Sequence, residues 1–188
     1  LEHLLGGEAY DAIRTRFLQP LRLRGTVPSV SPRIPALANG YVAPNDPLGL
    51  RGAMLRDGAL AIDPAFEWAG GGFASTPEDL ARWAHAWYGG RLVPRAVLDE
   101  ALRGVSAAAL STGARYGLGV ILRDSPLGPV HGHSGFFPGY LTELRYYADA
   151  GVAVNVMANT SDGRAIGRGL GAIAHRLAEQ TTAHLATP

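Results

Sequence analysis

The sequence contains no lysine; all 17 of its basic residues are arginine. That excludes any mechanism in which a lysine amine of these residues acts as base or Schiff-base former. There is no cysteine either, which excludes disulfides and thiolate metal sites but leaves the compartment open. No apolar run approaches the roughly 20 residues that cross a bilayer. The opening "LEHLLGGEAYD" has no basic region and no cleavage site, so no signal peptide is visible. It also lacks an initiator methionine, and the chain is expected to start inside a longer gene product. A formal net charge of +1 gives no strong field for nucleic acid or a membrane surface.

What is present fits one domain with a real core: 188 residues, 47% hydrophobic and 18% charged. Residues 1–110 read as helical and loop-rich, and 111–188 as a sheet followed by a helix. Helical spacing runs over residues 1–19, broken at Gly6-Gly7 and ended by Pro20. Residues 20–67 are rich in proline and glycine and are expected to run irregularly across a surface. "ASTPEDLARWAHAWYGG" predicts a helix, with Thr76 as N-cap, Pro77 first and Asp79 at the third position. Its apolar face is Leu80, Trp83, Ala84 and Trp87. A short helix is predicted over Pro94–Arg103.

The period then switches to two. "YGLGVILRD" predicts a strand, and "GPVHGHSG" leads into a second. "GYLTELRYYA" and "GVAVNVMAN", joined by "DAG", predict an antiparallel hairpin. The last helix is amphipathic, with Ile166, Leu170, Ile173 and Leu177 expected on the sheet. The class is α+β, an antiparallel β-sheet with a C-terminal helix packed on it.

Four readings compete for the chemistry of "VHGHSGFFPGY". A nucleophile elbow, G-x-S-x-G, needs a second glycine two residues after the serine; Phe136 stands there, and a strand follows where a helix is required. A metal pair from His131 and His133 shares one strand face but has no third ligand at familiar spacing, so structural histidines are the reading. "GRGLGA", Gly167 to Ala172, lacks the preceding strand and the βαβ unit of a dinucleotide site; its glycines fit close helix-on-sheet packing. The fourth reading makes His133-Ser134-Gly135 an edge-strand triad, the counterpart of the K-T-G box of penicillin-recognising serine hydrolases. In such a box the strand borders a cleft, and the glycine lets substrate lie along the backbone like an added strand.

The surroundings of that triad resemble the serine β-lactamase-like family, which includes class C β-lactamases, D-alanyl-D-alanine carboxypeptidases and related esterases. The resemblance rests on "IRTRFLQPLRLRGT", "ALANGY", "AGGGFASTPEDLARWAHAWYGG", "YGLGV", "GHSGFFPGY" and a hairpin ending in "NVMANT", in the family's order. Within the group the chain is most similar to DD-carboxypeptidases in which H-T-G replaces K-T-G. The resemblance implies the C-terminal part of that fold and an acyl-serine hydrolase.

Two family motifs are missing. None of the eight serines is followed by lysine three residues on, so there is no S-x-x-K. There is no Y-x-N either. Both are expected upstream of Leu1, which makes the chain one wall of a cleft and inactive by itself. The resemblance implies that His133 assists proton transfer or orients substrate and that Ser134 donates a hydrogen bond. It also implies an oxyanion donor in the backbone N–H of Phe136 or Phe137.

Trp68 falls where relatives place a cleft-lining aromatic, and Arg123 is a candidate for a substrate carboxylate. Phe136 occupies a position where relatives often carry a hydroxyl, which makes an ester or amide substrate plausible beside a β-lactam or D-Ala-D-Ala peptide. No cofactor is implied. The partners implied are a small-molecule or peptide substrate and the N-terminal half of the same domain, with no nucleic acid and no membrane span. The family implies a secreted or periplasmic location. A different class of function is a non-catalytic module that binds cell-wall peptide along the same strand edge. In either case Trp83, Trp87 and the 20–67 loop are expected to lack partners within this chain.

Overall fold

A computed structural model describes residues 2–186. The chain begins with two short helices, α1 (Glu2–Leu5) and α2 (Ala9–Ile13), and a π-helical turn over Arg14–Leu18. Short strands follow: β1 (Val27–Pro28), β2 (Leu55–Arg56) and β3 (Ala59–Leu60). Next come α3 (Trp68–Gly71), β4 (Phe73–Ala74), α4 (Pro77–Tyr88) and α5 (Arg95–Ala101). The sheet is built from β5 (Val105–Ser106), β6 (Arg115–Tyr116), β7 (Ile121–Ser125), β8 (Gly128–Phe137), β9 (Tyr140–Tyr147) and β10 (Val152–Ala158), and α6 (Leu170–Leu185) closes the chain.

The six strands lie in the order β10-β9-β8-β7-β6-β5, and every pairing is antiparallel. The α+β class and the C-terminal helix on the sheet are as the sequence implied. Because β5 belongs to the sheet, the sheet begins before residue 111. "YGLGVILRD" is also two strands where one was expected. Gly117 N–H donates to the Val120 carbonyl at 2.8 Å and Gly119 has φ +68°, so the glycines fold the segment into a hairpin.

Helices cover both faces of β9 and β10. Successive residues of a strand point to opposite faces, and the two apolar clusters follow that rule. Tyr147, Val152 and Val154 pack with Ala174 and Ala178 of α6. Tyr146 and Leu144 pack with Ala84 of α4, backed by Leu80 and Tyr88. The α6 contact differs from the expected stripe. Ala174 and Ala178 are fully buried while Leu177 is 43% exposed, and Ile166 lies ahead of the helix. Small side chains let α6 approach closely: a Cβ on Gly171 would strike the Arg145 guanidinium. That guanidinium is held beneath the helix by Glu143, with Nε to Oε1 at 2.7 Å. Gly167 and Gly169 have open space around them, so close packing accounts for Gly171 alone.

The α4 start is as its sequence dictates. Thr76 Oγ1 accepts the Asp79 N–H at 3.2 Å, with Pro77 in the first turn. The buried Asp79 carboxylate in turn accepts Gly25 N–H at 2.7 Å and Thr26 Oγ1–H at 3.0 Å, which ties the early loop to the helix.

The expectation of unpartnered tryptophans and an unpartnered loop is corrected. Trp83 lies edge-on to Phe17 at 5.7 Å and stacks on Trp87 at 5.9 Å, because the N-terminal helical segment lies against α4. The 20–67 loop is bonded to the far end of the sheet. Tyr41 N–H donates to Asn159 O at 2.9 Å, Ser161 N–H to Tyr41 O at 3.0 Å, and Tyr140 Oη–H to Ala38 O at 2.7 Å.

Candidate active-site wall

Strand β8 is longer than its neighbour β7. Pairing between them runs from Ser125↔Gly128 to Ile121↔Gly132 and stops. On its other side β8 stays paired to β9 as far as Phe137↔Tyr140. From His133 onward, therefore, one side of the strand has no strand beside it among the described residues. The loop between Phe137 and Tyr140 is the two residues Pro138-Gly139, which makes 137/140 a pair that exchanges bonds across β9. Alternation then turns the N–H and C=O of residues 135 and 137 toward β9, and those of Ser134 and Phe136 toward the uncovered edge.

The side chains divide as well. His133 faces Leu144 and Phe137 faces Tyr140 across the β8–β9 ladder, on the α4 face. Ser134 is opposite Glu143 and Phe136 opposite Leu141, on the α6 face. The exposed Ser134 hydroxyl has no hydrogen-bond partner among the described residues.

A cleft of about 510 Å³ runs along this edge. His133 through Phe137 line it together with Ile34, Leu37 and Leu60 of the early loop and with Glu67, Gly70 and Gly71. Phe137 and Tyr140, with rings 6.2 Å apart, both line the cleft and make this end aromatic, and Phe66 stacks behind Phe137 at 6.3 Å. A Cβ placed on Gly135 would meet only Thr142 Cβ, at an ordinary 3.6 Å. The fold itself does not demand glycine at 135, whereas a Cβ on Gly132 would strike the Leu144 carbonyl.

His133 is held at both nitrogens. Nδ1 lies 2.6 Å from the Ser134 carbonyl oxygen and Nε2 2.9 Å from Tyr116 Oη. A carbonyl can only accept, so Nδ1 carries the proton; in the neutral ring Nε2 then accepts from the tyrosine. The two rings also meet edge to face at 5.7 Å.

His131, two residues earlier, is in a different setting. It packs against both Tyr88 and Tyr146, its Nδ1 is buried without a partner among the described residues, and burial lowers its pKa from the ordinary imidazole value, with Arg115 adding to the effect. Burial likewise raises the pKa of the Tyr88 phenol, with a smaller contribution from Tyr116. No group of three or more potential metal ligands occurs among the described residues.

The structure thus brings His133, Ser134, Gly135, Phe136 and Phe137 together along one edge. It does not bring the other two candidates into the cleft. Trp68 is 53% exposed beside it, with φ +34°, and only its neighbours Glu67, Gly70 and Gly71 line the wall. Arg123 pairs opposite Val130, which places it on the α6 face near Glu143 and Arg145. Burial is the main influence on its guanidinium, lowering the pKa, and its Nη1 lacks a partner. Sequence reasoning missed Tyr116 and Phe66. Tyr116 lies in "YGLGV", where the glycine turn that brings it beside His133 was the available signal; Phe66 carried no signal within its loop.

Comparison with known proteins identifies a family and a fold. The Beta-lactamase family model matches residues 1–178. A D-stereospecific amidohydrolase from a Streptomyces species superposes with a TM-score of 0.71 at 26% identity, covering 85% of this chain and 46% of that one. A D-amino acid amidase from Ochrobactrum anthropi SV3, solved with L-phenylalanine, gives 0.70 at 22% identity over 86% and 49% of the two chains. A penicillin binding protein from Bacillus halodurans gives 0.66 at 21%, over 86% and 48%. The chain spans about half the length of these solved structures. No match was found among curated proteins.

Proposed function

Because the chain belongs to the beta-lactamase family, we propose that it forms the substrate-binding wall of a serine acyl hydrolase that cleaves amides, peptides or esters through an acyl-serine intermediate. The acylated serine and its lysine base come from polypeptide other than these 188 residues, since no lysine is present. The observation that carries this reading is the uncovered edge of β8 beside the cleft. Substrate lies along it as an added strand, with its reacting carbonyl at the Phe136 N–H. A donor fixed in a strand needs no reorganisation as negative charge grows on the carbonyl oxygen. The pairing of Phe137 with Tyr140 turns the Phe137 N–H toward β9, which supports Phe136 as the donor.

Gly135 keeps the approach clear, and the apolar Phe137–Tyr140 end takes the hydrophobic part of the acyl group. His133 orients substrate, and Ser134 contributes chiefly its backbone to the edge. The similarity to the Streptomyces amidohydrolase supports an amide substrate, with an ester, a β-lactam or a D-Ala-D-Ala peptide as alternatives. No helix among the described residues is long and apolar enough to cross a membrane. A secreted or periplasmic location follows from the family reading.

Labelling with a fluorescent penicillin or a fluorophosphonate tests the assignment. The chain by itself is expected to stay unlabelled, and the gene upstream of Leu1 is expected to encode S-x-x-K and Y-x-N. Stoichiometric labelling at Ser134 would overturn the role given to that residue. Absence of both motifs upstream would favour a non-catalytic peptide-binding module on the same strand edge.

A further inference from the structure

We infer that Tyr116 is a positioning residue that locks the His133 ring across the open edge of β8, so that the ring caps the Ser134 carbonyl and leaves Phe136 as the edge residue whose donor and acceptor are both free for a ligand. This rests on the reading of that edge as the substrate wall.

The uncovered edge offers two residues, Ser134 and Phe136, each with a backbone donor and acceptor. The His133 imidazole already takes the Ser134 carbonyl at 2.6 Å through Nδ1–H. An exposed side chain gains little from a bond to its neighbour's backbone unless something fixes its rotamer. Tyr116 supplies that restraint. Its hydroxyl reaches Nε2 at 2.9 Å and its ring meets the imidazole edge-on. Tyr116 is itself anchored by the hairpin opposite Ile121, a buried residue of β7 that pairs with Gly132. The contact therefore joins the end of the two-sided part of β8 to the start of its one-sided part.

The consequence concerns substrate length. A strand added to an edge gains affinity from each backbone pair it forms. With the Ser134 carbonyl capped, a ligand can pair fully with Phe136 but loses one of the two backbone bonds it would exchange with Ser134. The cleft then selects a short acyl donor, such as an amino acid amide or ester, over an extended polypeptide strand. Releasing the cap would add one backbone hydrogen bond for the longer ligand, a gain of about fivefold in relative affinity.

The first test uses this chain labelled with 15N-histidine, at about pH 8, where an ordinary imidazole is neutral. Long-range 1H–15N spectra distinguish the two neutral tautomers, and a His133→Gln variant assigns the signals. His133 is expected as a single tautomer protonated at Nδ1, and Tyr116→Phe is expected to shift it toward a mixture while leaving the other five histidines unchanged. A ring protonated at Nε2 in the wild type, or one untouched by Tyr116→Phe, overturns the proposal.

The second test uses the protein that carries the serine nucleophile as well as this chain. There Tyr116→Phe is expected to raise kcat/KM for an extended peptide amide about fivefold relative to that for an amino acid amide. No change in that ratio overturns the length-selecting role even if the tautomer result holds. Absence of any turnover would count against the hydrolase reading and leave the tautomer result standing.

Discussion

The two halves of β8 share one strand and differ in what surrounds them. Val130 to Gly132 lie between β7 and β9; Val130 is 1% exposed and a Cβ on Gly132 would strike backbone. From His133 to Phe137 the strand is paired on one side only, His133 through Phe136 are exposed, and Gly135 has room for a methyl group. Glycine serves the fold in the first half and leaves space in the second. A strand half that the fold does not need to complete is where binding chemistry can be placed without loss of stability.

The largest expected effect that would break this comparison is on stability. Gly132→Ala should cost about 1–3 kcal/mol, because the added methyl group must displace the Leu144 peptide. Urea unfolding measures it; a cost as small as that at Gly135 would show that the two halves are equivalent. Next comes acid sensitivity from the covered half. His131 is held with a lowered pKa, so the unfolded chain binds its proton more readily than the folded one. Its contribution to stability is intact above the ordinary imidazole value of about 6.5 and is lost as pH falls from there toward the folded pKa. Unfolding measured across that window should show a shallower acid loss in His131→Phe than in the parent chain, and an identical slope would remove burial as the cause.

Smaller effects belong to the open half. Gly135→Ala should change stability by no more than about 0.5 kcal/mol, because its Cβ meets only Thr142 Cβ, yet it should weaken binding of an edge-pairing ligand. Ser134→Ala should be the mildest, again within about 0.5 kcal/mol, since its hydroxyl has no partner among the described residues. A larger loss in either would mean that the open half is structural.

Much of this arrangement was legible in the residues. Thr76-Pro77 marked the start of α4, alternating valines marked β10, and His133-Ser134-Gly135 marked the strand beside the cleft. Local signals suffice where capping or period decides the outcome. What depended on tertiary contact was less legible. The face α6 buries is its alanines, because Gly171 and the Arg145–Glu143 pair set a close approach that helical period alone does not encode. Arg123 read as a cleft residue until register placed it opposite Val130 on the other face. Tyr116 became a partner of His133 only through a hairpin hidden inside an apparently continuous strand.

Amide hydrogen exchange along β8 tests the central claim most directly. If the strand is two-sided to Gly132 and one-sided beyond, the N–H groups of Val130, Gly132 and Phe137 should be strongly protected, and those of Ser134 and Phe136 should exchange quickly. Equal protection of Phe136 and Gly132 would contradict the account, because the edge assigned to substrate would then already be occupied by the protein itself.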